Sequence, residues 1–570
     1  MYCSGLINEE EGLLLNTYFE EDFGKFLWEI GNFIRDKGLQ FDPGLYCATT
    51  VAVLSLKHTC SDVKTIIESF ERDETRSAIM IYVDYYTELQ VFAAKYGREV
   101  LEYGMKNMDL NEYCNWRKLG DPDNYQYLNN LILGLHHVQS GDLYIEYGCG
   151  RGNGIINAAS KGITSYGVDI NIQHVIVTEI KAFWKKIAIT VECVNMDENG
   201  TCEYEATKST VDTGFMRNNY NFDTLMDNKY LQPYKAVIKK AGIRIWGQAI
   251  IAYQKNKSGR VIALTFPAAL FNNSDKGIRK TLVNQGLIEG IIELPNGTIN
   301  GTNVKPVVII ISKENYDGVK IMDATNLFKK TGRAITIEPS QIENIIEMYD
   351  QCKDRCRMVS VSEIASCEYV LSANRYFENN KIVEGIALKD ICDIERGASI
   401  RSGELKEMAS EEPTKYQYLM LQDIVDGKIV NQLPYLKEID RKYSSAILKN
   451  EDIVISKLVP FKICLVHIDD EREILANGNL FRITVNKGKM NPIYVMLYLR
   501  SQQGQQELAR YVNGAVMRAI SIKDLKQVKI PRMEMEEQNK MAEKYKQFMV
   551  RLEKIDLERE RILADISELL

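Results

Sequence analysis

Asp142-Leu-Tyr-Ile-Glu146-Tyr-Gly148-Cys-Gly150-Arg-Gly152-Asn-Gly154 is the stretch whose reading decides the fold. A short apolar run ends in a carboxylate and gives way to alternating glycines. One helix length further on, Ser165-Tyr-Gly-Val-Asp169 repeats the pattern of an apolar run closed by an acid. Such a pair predicts two neighbouring parallel strands, with Glu146 and Asp169 at their carboxyl ends, where open α/β sheets bind ligands. The glycines let the backbone turn tightly into a helix and approach a ligand closely.

Two cofactors fit a turn of this kind. A dinucleotide needs a helix N-terminus aimed at its pyrophosphate, usually through a G-x-G-x-x-G spacing. S-adenosylmethionine has no phosphate; it needs room beside the backbone and a carboxylate for its ribose hydroxyls. The spacing here is E-x-G-x-G-x-G, which reads as the second case. Glu146, Gly148, Gly150, Gly152 and Asp169 are then the expected cofactor contacts, and Asp197, in Glu192-Cys-Val-Asn-Met-Asp197, is expected near the adenine after a third strand. Taken alone, the same stretch also suits a plain structural turn in an α/β domain.

Outward from this stretch, the 570 residues are 45% apolar and 26% charged with a net charge of −7, the balance of an ordinary globular chain of several domains. Mild acidity requires that any nucleic-acid contact come from a local basic face. No apolar run is long enough to predict a membrane span, and the amino terminus lacks a signal-peptide pattern. The twelve cysteines are scattered without a C-x-x-C pair, which predicts reduced thiols, a cytoplasmic setting and no metal site. Residues 1–118 read as a helical domain, with Phe19, Phe23, Phe26, Leu27, Ile30 and Phe33 at helical spacing. Residues 119–330 alternate strand and helix patterns, as in a doubly wound sheet. Its strands are expected at Leu143–Tyr147, Ser165–Val168, Asp223–Met226, Arg260–Thr265, Leu287–Leu294 and Val307–Ser312. Residues 331–375 form a helical connection, 376–534 a domain of short strands and helices, and 535–570 a long charged helix. In that helix Met541, Tyr545, Phe548, Leu552, Ile555, Ile562, Ile566 and Leu569 repeat at coiled-coil spacing.

The run Ser258-Gly-Arg-Val-Ile-Ala-Leu-Thr-Phe-Pro267 through Leu287-Ile-Glu-Gly-Ile-Ile-Glu-Leu-Pro295-Asn-Gly and Thr302-Asn-Val-Lys-Pro-Val-Val-Ile-Ile-Ile-Ser-Lys313 resembles the modification subunit of type I restriction–modification systems, an N6-adenine DNA methyltransferase. Ile321-Met-Asp323-Ala-Thr-Asn-Leu-Phe328 extends the likeness, which covers about residues 120–375. The last third resembles the target-recognition domain of the specificity subunit of the same systems. Leu388–Gly397, Tyr416–Ile429, Leu448-Lys-Asn-Glu-Asp452-Ile-Val-Ile-Ser456-Lys457 and Val528-Lys-Ile-Pro531 carry that likeness, and the final helix resembles its coiled-coil spacer. The resemblance implies an α/β chain: a helical N-terminal domain, a class I S-adenosylmethionine-dependent methyltransferase sheet, and an α+β target-recognition domain with a long coiled-coil helix. It also implies double-stranded DNA as partner, and a second methyltransferase, specificity or restriction subunit beside it. No nuclease or helicase motif is evident.

The exocyclic N6 of adenine is a poor nucleophile because its lone pair is delocalised into the ring. In the family a D/N-P-P-Y/F motif after the fourth strand accepts its N–H bonds and stacks an aromatic ring on the extruded base, which is positioning plus preorganised electrostatics. The place expected for it reads Phe222-Asp-Thr-Leu-Met-Asp227-Asn228-Lys229-Tyr230-Leu231, with both prolines missing. One alignment gives the polar role to Asn228 and the aromatic position to Leu231; the other uses Asp227 and Tyr230. Lys229 would bring a cation towards a sulfonium. Three readings stay open: an active adenine methyltransferase with a divergent motif, an inactive methyltransferase fold retained as a DNA-binding specificity subunit, and a methyltransferase for another substrate.

For DNA, Arg482, Lys487, Lys489, Arg500, Arg510, Arg518, Lys523, Lys526, Lys529 and Arg532 fall in a stretch with few acids. The loops at the matched motifs single out Arg396, Arg401, Lys457, Lys462 and Arg518, with arginine suited to guanine edges and lysine to phosphate. His136 and His137 read as surface or core residues rather than metal ligands.

Overall fold

The computed structural model describes residues 9–40, 43–108, 110, 123–202, 204–212, 222–238, 243–299, 304–314, 316–331, 334–377, 385–430, 432–468, 471–513 and 518–567. The expected boundary at 118/119 and the segment 514–517 lie outside these residues. The chain divides into two compact units, Met1–Tyr376 and Phe377–Leu570.

The first unit is built on a nine-stranded sheet. Its strands in chain order are β1 Leu143–Tyr147, β2 Thr164–Asp169, β3 Thr190–Cys193, β4 Lys208–Asp212, β5 Arg260–Thr265, β6 Ile288–Glu293, β7 Val307–Ser312, β8 Gly318–Asp323 and β9 Cys356–Ser360. In space they run β3-β2-β1-β4-β5-β7-β6-β8-β9. β7 is antiparallel to β5 and β6, and β9 to β8; the other pairings are parallel. The strand order therefore reverses at β1, and the crevice between the carboxyl ends of β1 and β4 is the ligand position of an open α/β sheet. This is the doubly wound methyltransferase sheet that the resemblance implies. β6 and β7 are buried along their whole length, as central strands covered on both faces must be.

Five of the six expected strands form. The sixth does not: Asp223–Met226 lies within the helix Phe222–Asp227. The fourth strand is instead Lys208-Ser-Thr-Val-Asp212, hidden from a hydropathy reading by its polar residues. Those polar groups find partners inside the fold. Tyr144 Oη donates to Thr210 Oγ1 at 3.0 Å, His136 Nε2 lies 3.0 Å from the same oxygen, and Ser209 Oγ bonds Asn256 Oδ1.

Six described helices, Glu9–Asp36, Gly44–Ser55, Cys60–Glu68, Asp73–Val83, Tyr86–Ala94 and Arg98–Asn107, form the amino-terminal layer. Phe23, Phe26, Leu27, Ile30 and Phe33 are buried there at the spacing read from the sequence. Its core is shared with the sheet: Ile176, Val177, Ile180 and Trp184 of the sheet helix Ile172–Lys185 belong to it. Arg72 Nε reaches Glu179 at 2.9 Å, and Trp184 Nε1 donates to Thr50 Oγ1 at 3.1 Å. Farther along, helix Pro339–Gln351 covers the sheet through Ile342, Ile345 and Tyr349.

The second unit is α+β. One four-stranded sheet joins Cys392–Arg396, Leu480–Val485, Ile453–Ser456 and Ile463–Leu465 in that order. Helix Pro492–Arg500 packs against its apolar side through Ile493, Val495, Met496 and Leu499. A second sheet contains Tyr416–Leu419 and Glu473–Ala476 as a parallel pair. The last helix, Met535–Ser567, docks its first turns through Ala542 and a bond from Asn491 N to Gln538 Oε1. Beyond them Phe548, Leu552, Ile555, Ile562 and Ile566 are exposed. No described helix is long and apolar enough to cross a membrane.

Candidate active site and nucleic-acid interface

The turn after β1 is assembled by Asp169. Its Oδ2 accepts from Gly150 N at 2.9 Å, and its Oδ1 accepts from Asn171 N at 2.8 Å with His174 Nδ1 at 3.3 Å. Gly148 and Cys149 donate to Val168 O, which ties the turn to β2. Gly148, Gly150 and Gly152 all have positive φ, at 75°, 54° and 74°, a backbone region that glycine enters freely. A side chain on Gly152 would strike Thr178 of the helix Ile172–Lys185, whereas one on Gly150 would meet nothing within 4 Å. Open space therefore lies beside Gly150, and buried acid stands next to it. An ionised carboxylate has about four acceptor positions, of which these contacts use three. Glu146, the residue before the last of β1, is half-buried, and its carboxylate closes on Gly154, where a Cβ would sit 2.2 Å from Oε2.

Asp197 follows β3 and is buried. Gln248 Nε2 donates to its Oδ1 at 3.0 Å and Oδ2 at 3.3 Å. Burial pushes the Asp197 carboxyl up, and the Gln248 bond and the nearby Lys255 charge work against that rise. Glu146 and Asp169, with the three glycines, thus lie at the carboxyl ends of β1 and β2, and Asp197 lies in the loop beyond β3. This acceptor set fits an adenosyl group: acids for ribose hydroxyls and an amine, and glycine where the backbone must be open.

The residues expected at the target base lie elsewhere than expected. Asp227 ends a helix and is exposed. Asn228 is buried and caps the 3-10 turn Lys229–Tyr234: its Oδ1 accepts from Tyr230 N at 3.0 Å and its Nδ2 donates to Asp197 O at 2.9 Å. Lys229 Nζ lies over the Tyr230 ring at 4.8 Å, and its backbone N donates to Asn199 Oδ1 at 2.9 Å. The segment therefore braces the loop after β3, and it does not directly follow the fourth strand. The residue that ends β4 is Asp212, followed in sequence by Thr213-Gly214-Phe215, an acid and an aromatic at the family's spacing. A hydropathy reading passes over this strand end because Lys208-Ser-Thr-Val is polar; the acid-x-x-aromatic spacing is the signal that the sequence offers there.

In the second unit, two expected DNA residues, Arg396 and Lys457, meet Asn477–Asn479, and Arg518 lies against the loop that follows Lys457. Arg396 Nε donates to Gly478 O at 2.9 Å, Lys457 N donates to Asn479 O at 2.7 Å, and Val459 N donates to Arg518 O at 3.1 Å. Gly397 permits the approach, since a Cβ there would lie 2.0 Å from Asn477 O. Arg396 and Arg518 are exposed, as is Arg401 at the start of helix Ser402–Met408. Lys462 is different: its Nζ donates to Leu421 O at 3.0 Å and Ile424 O at 2.7 Å, so two of its three protons are spent inside the fold. The basic run is also partly structural. Arg482 is buried beside Asp452 and donates to Ile447 O, Arg510 pairs with Glu507, and Lys489 donates to Asp390 O.

The sheet order and the acid-lined glycine turn define the first unit as a class I methyltransferase fold, and the second unit presents a basic loop cluster on an α+β frame. Residues 152–385 match the N-6 DNA Methylase family and residues 380–567 match the Type I restriction modification DNA specificity domain, so the chain carries a domain of each family. The MjaVII type I restriction enzyme methylase subunit of Methanocaldococcus jannaschii is 23% identical over 274 residues, covering 43% of this chain and 47% of that protein. A putative MjaX specificity subunit from the same organism is 30% identical over 171 residues, covering 27% and 36%. Among solved structures, the type I restriction-modification methyltransferase subunit from Streptococcus thermophilus aligns at a TM-score of 0.44 and 16% identity, over 59% of this chain and 80% of that one. The chain spans about half or less of the curated relatives it matches, between 26% and 47% of their length.

Proposed function

We propose that the chain is a sequence-specific DNA methyltransferase of a restriction–modification type system, acting on the N6 of adenine in double-stranded DNA. The observation that carries this reading is the Gly150–Asp169 turn at the reversal point of the sheet, on a chain that also holds a specificity domain. Gly148, Gly150 and Gly152 give S-adenosylmethionine its backbone approach, Glu146 and Asp169 hold its ribose and amino-acid ends, and Asp197 takes its adenine. When bound, that cofactor supplies a methyl group made electrophilic by an adjacent sulfonium.

The chain's own contribution is to present the target amine. Extruding the base costs a few kcal/mol. Asp212, at the end of β4, takes the polar role that the family gives to D/N, with Phe215 as the stacking residue. Asn228 and Tyr230 act one step back, by fixing the Asp197 loop; Asp227 stays at the surface. Arg396, Arg401, Lys457 and Arg518 contact the duplex, and Lys462 shapes the domain that holds them. Partner subunits of such a system complete the complex. A second reading, a silent methyltransferase fold acting as a specificity subunit beside an active partner, draws on one fact: positions 213 and 214 hold Thr and Gly, where the family has two prolines.

Transfer of a labelled methyl group to mixed-sequence DNA decides between them. Wild type should label DNA, Asp212→Ala should lose roughly a hundredfold or more in rate, and Asn228→Ala should lose mainly cofactor affinity. DNA binding with no labelled product from wild type, with or without the partner subunits, would establish the silent reading.

A further inference from the structure

Gln248 opens the helix Gln248–Lys255, directly after a single π-helical turn, Ile243–Gly247. Such turns insert an extra residue and re-aim the side chains that follow, often at functional sites. Here Gln248 is carried inward until only 4% of it is exposed. Its Nε2 spans both oxygens of Asp197, at 3.0 and 3.3 Å. Its Oε1 is buried and accepts no hydrogen bond among the described residues. A buried acceptor left open is costly, and native structures keep few of them.

The rest of the loop is fixed from the same side. Asn228 Nδ2 holds Asp197 O, and Lys255 Nζ donates to Thr201 O at 2.7 Å. Asp197 lies beyond β3, on the same half of the sheet as Asp169. A clamped carboxylate beside a buried, unpartnered amide oxygen offers two acceptors. An exocyclic amine offers two N–H donors. A 6-oxo purine offers an acceptor and a ring N–H in its place, so it leaves one of these groups facing a lone pair.

We infer that Gln248 is a positioning residue that aims Asp197 at the 6-amino group of the cofactor's adenine, and that the Asp197–Gln248 pair selects an amino over an oxo purine. The inference rests on the assignment of Asp197 to the cofactor made above. It concerns the adenine of the cofactor and not the target base, so it is tested without DNA.

The test is calorimetric titration of the full chain with S-adenosylhomocysteine and with S-inosylhomocysteine. Wild type should prefer the adenosyl compound by roughly tenfold or more, as a site built for a hydrogen-bonding group rejects its misfit analogue. Gln248→Met should lower adenosyl affinity by roughly tenfold and leave inosyl affinity in place, so that the preference collapses. Asp197→Asn, which keeps the shape and supplies a donor, should shift the preference towards the inosyl compound; it serves as the second variant if Gln248→Met melts early. Equal loss for both compounds in Gln248→Met, or no loss for either, overturns the inference. Equal binding of both by wild type overturns it too while leaving the cofactor assignment standing. Binding of neither removes that assignment and the inference together.

Discussion

Gly150 N and Asp169 Oδ2 are 2.9 Å apart, and that bond, beside those from Gly148 N and Cys149 N to Val168 O, joins the turn after β1 to the end of β2. The acid is thus both the buttress of the glycine turn and the proposed ribose contact. Asp169→Asn keeps the size but turns one acceptor into a donor facing backbone N–H groups. It should cost roughly tenfold or more in S-adenosylmethionine affinity, with a melting temperature lowered as well. Titration calorimetry with a parallel thermal melt checks both; full affinity in Asp169→Asn would remove the acid from the ligand site.

Gly154 gives a sharper test of Glu146. An added methyl would sit 2.2 Å from Glu146 Oε2, which is the far end of a flexible side chain and can yield. Alanine also favours the helix by about 1 kcal/mol over glycine. Gly154→Ala should therefore melt within a few degrees of wild type and yet bind the cofactor more weakly, because Glu146 is displaced. Gly152→Ala should behave differently, since its φ of 74° and the contact with Thr178 both oppose a side chain. It should lower stability by about 1–3 kcal/mol in urea melts.

His136 makes the first unit acid-sensitive. It is buried, Nε2 faces Thr210, Nδ1 has no hydrogen-bond partner among the described residues, and burial followed by the Lys208, Arg260 and His137 charges holds it well below the usual histidine range. The folded ring stays neutral, while the unfolded one takes a proton below about pH 6.5. Stability should therefore be level above that pH and fall beneath it, by at most about 1.4 kcal/mol per pH unit from this group. Urea midpoints of wild type and His136→Asn between pH 8 and 5.5 should converge on acidification; parallel curves would acquit His136.

On the DNA side, Arg396→Ala and Arg518→Ala should each weaken binding and reduce the slope of log affinity against log salt by about one if each meets a phosphate. Lys462→Met should lower the melting temperature of the second unit and leave the salt slope unchanged, since its ammonium serves Leu421 and Ile424. Fluorescence anisotropy across a salt series separates the two behaviours.

Much of the sheet was legible because β1, β2, β5, β6 and β7 are apolar runs closed by acids, glycines or polar turns. β4 was not, although it lies beside β1 in the middle of the sheet. Its Ser209 and Thr210 are buried at no cost to the ladder only because Asn256, Tyr144 and His136 arrive from distant elements to satisfy them. Local hydropathy carries no trace of that rescue. Asp223–Met226 reads as a strand for the opposite reason: its apolar residues resemble a strand ending, yet the chain forms a short helix there. The shift moved the expected target-base residues from the end of β4 to a turn that braces the Asp197 loop. The basic stretch carries a similar ambiguity, since composition does not distinguish Arg482, folded against Asp452, from Arg518 on the surface.

The helix Ile172–Lys185 works like a shared axle. On one flank it carries Glu179 and Trp184 into the amino-terminal layer, and on another it backs the glycine turn through Thr178 Oγ1, 3.3 Å from Gly150 O. A body gripping the outer helices therefore strains the same rod that steadies the ligand crevice. Amide protons of the two regions should exchange at a common pace, slowing together when either is clasped.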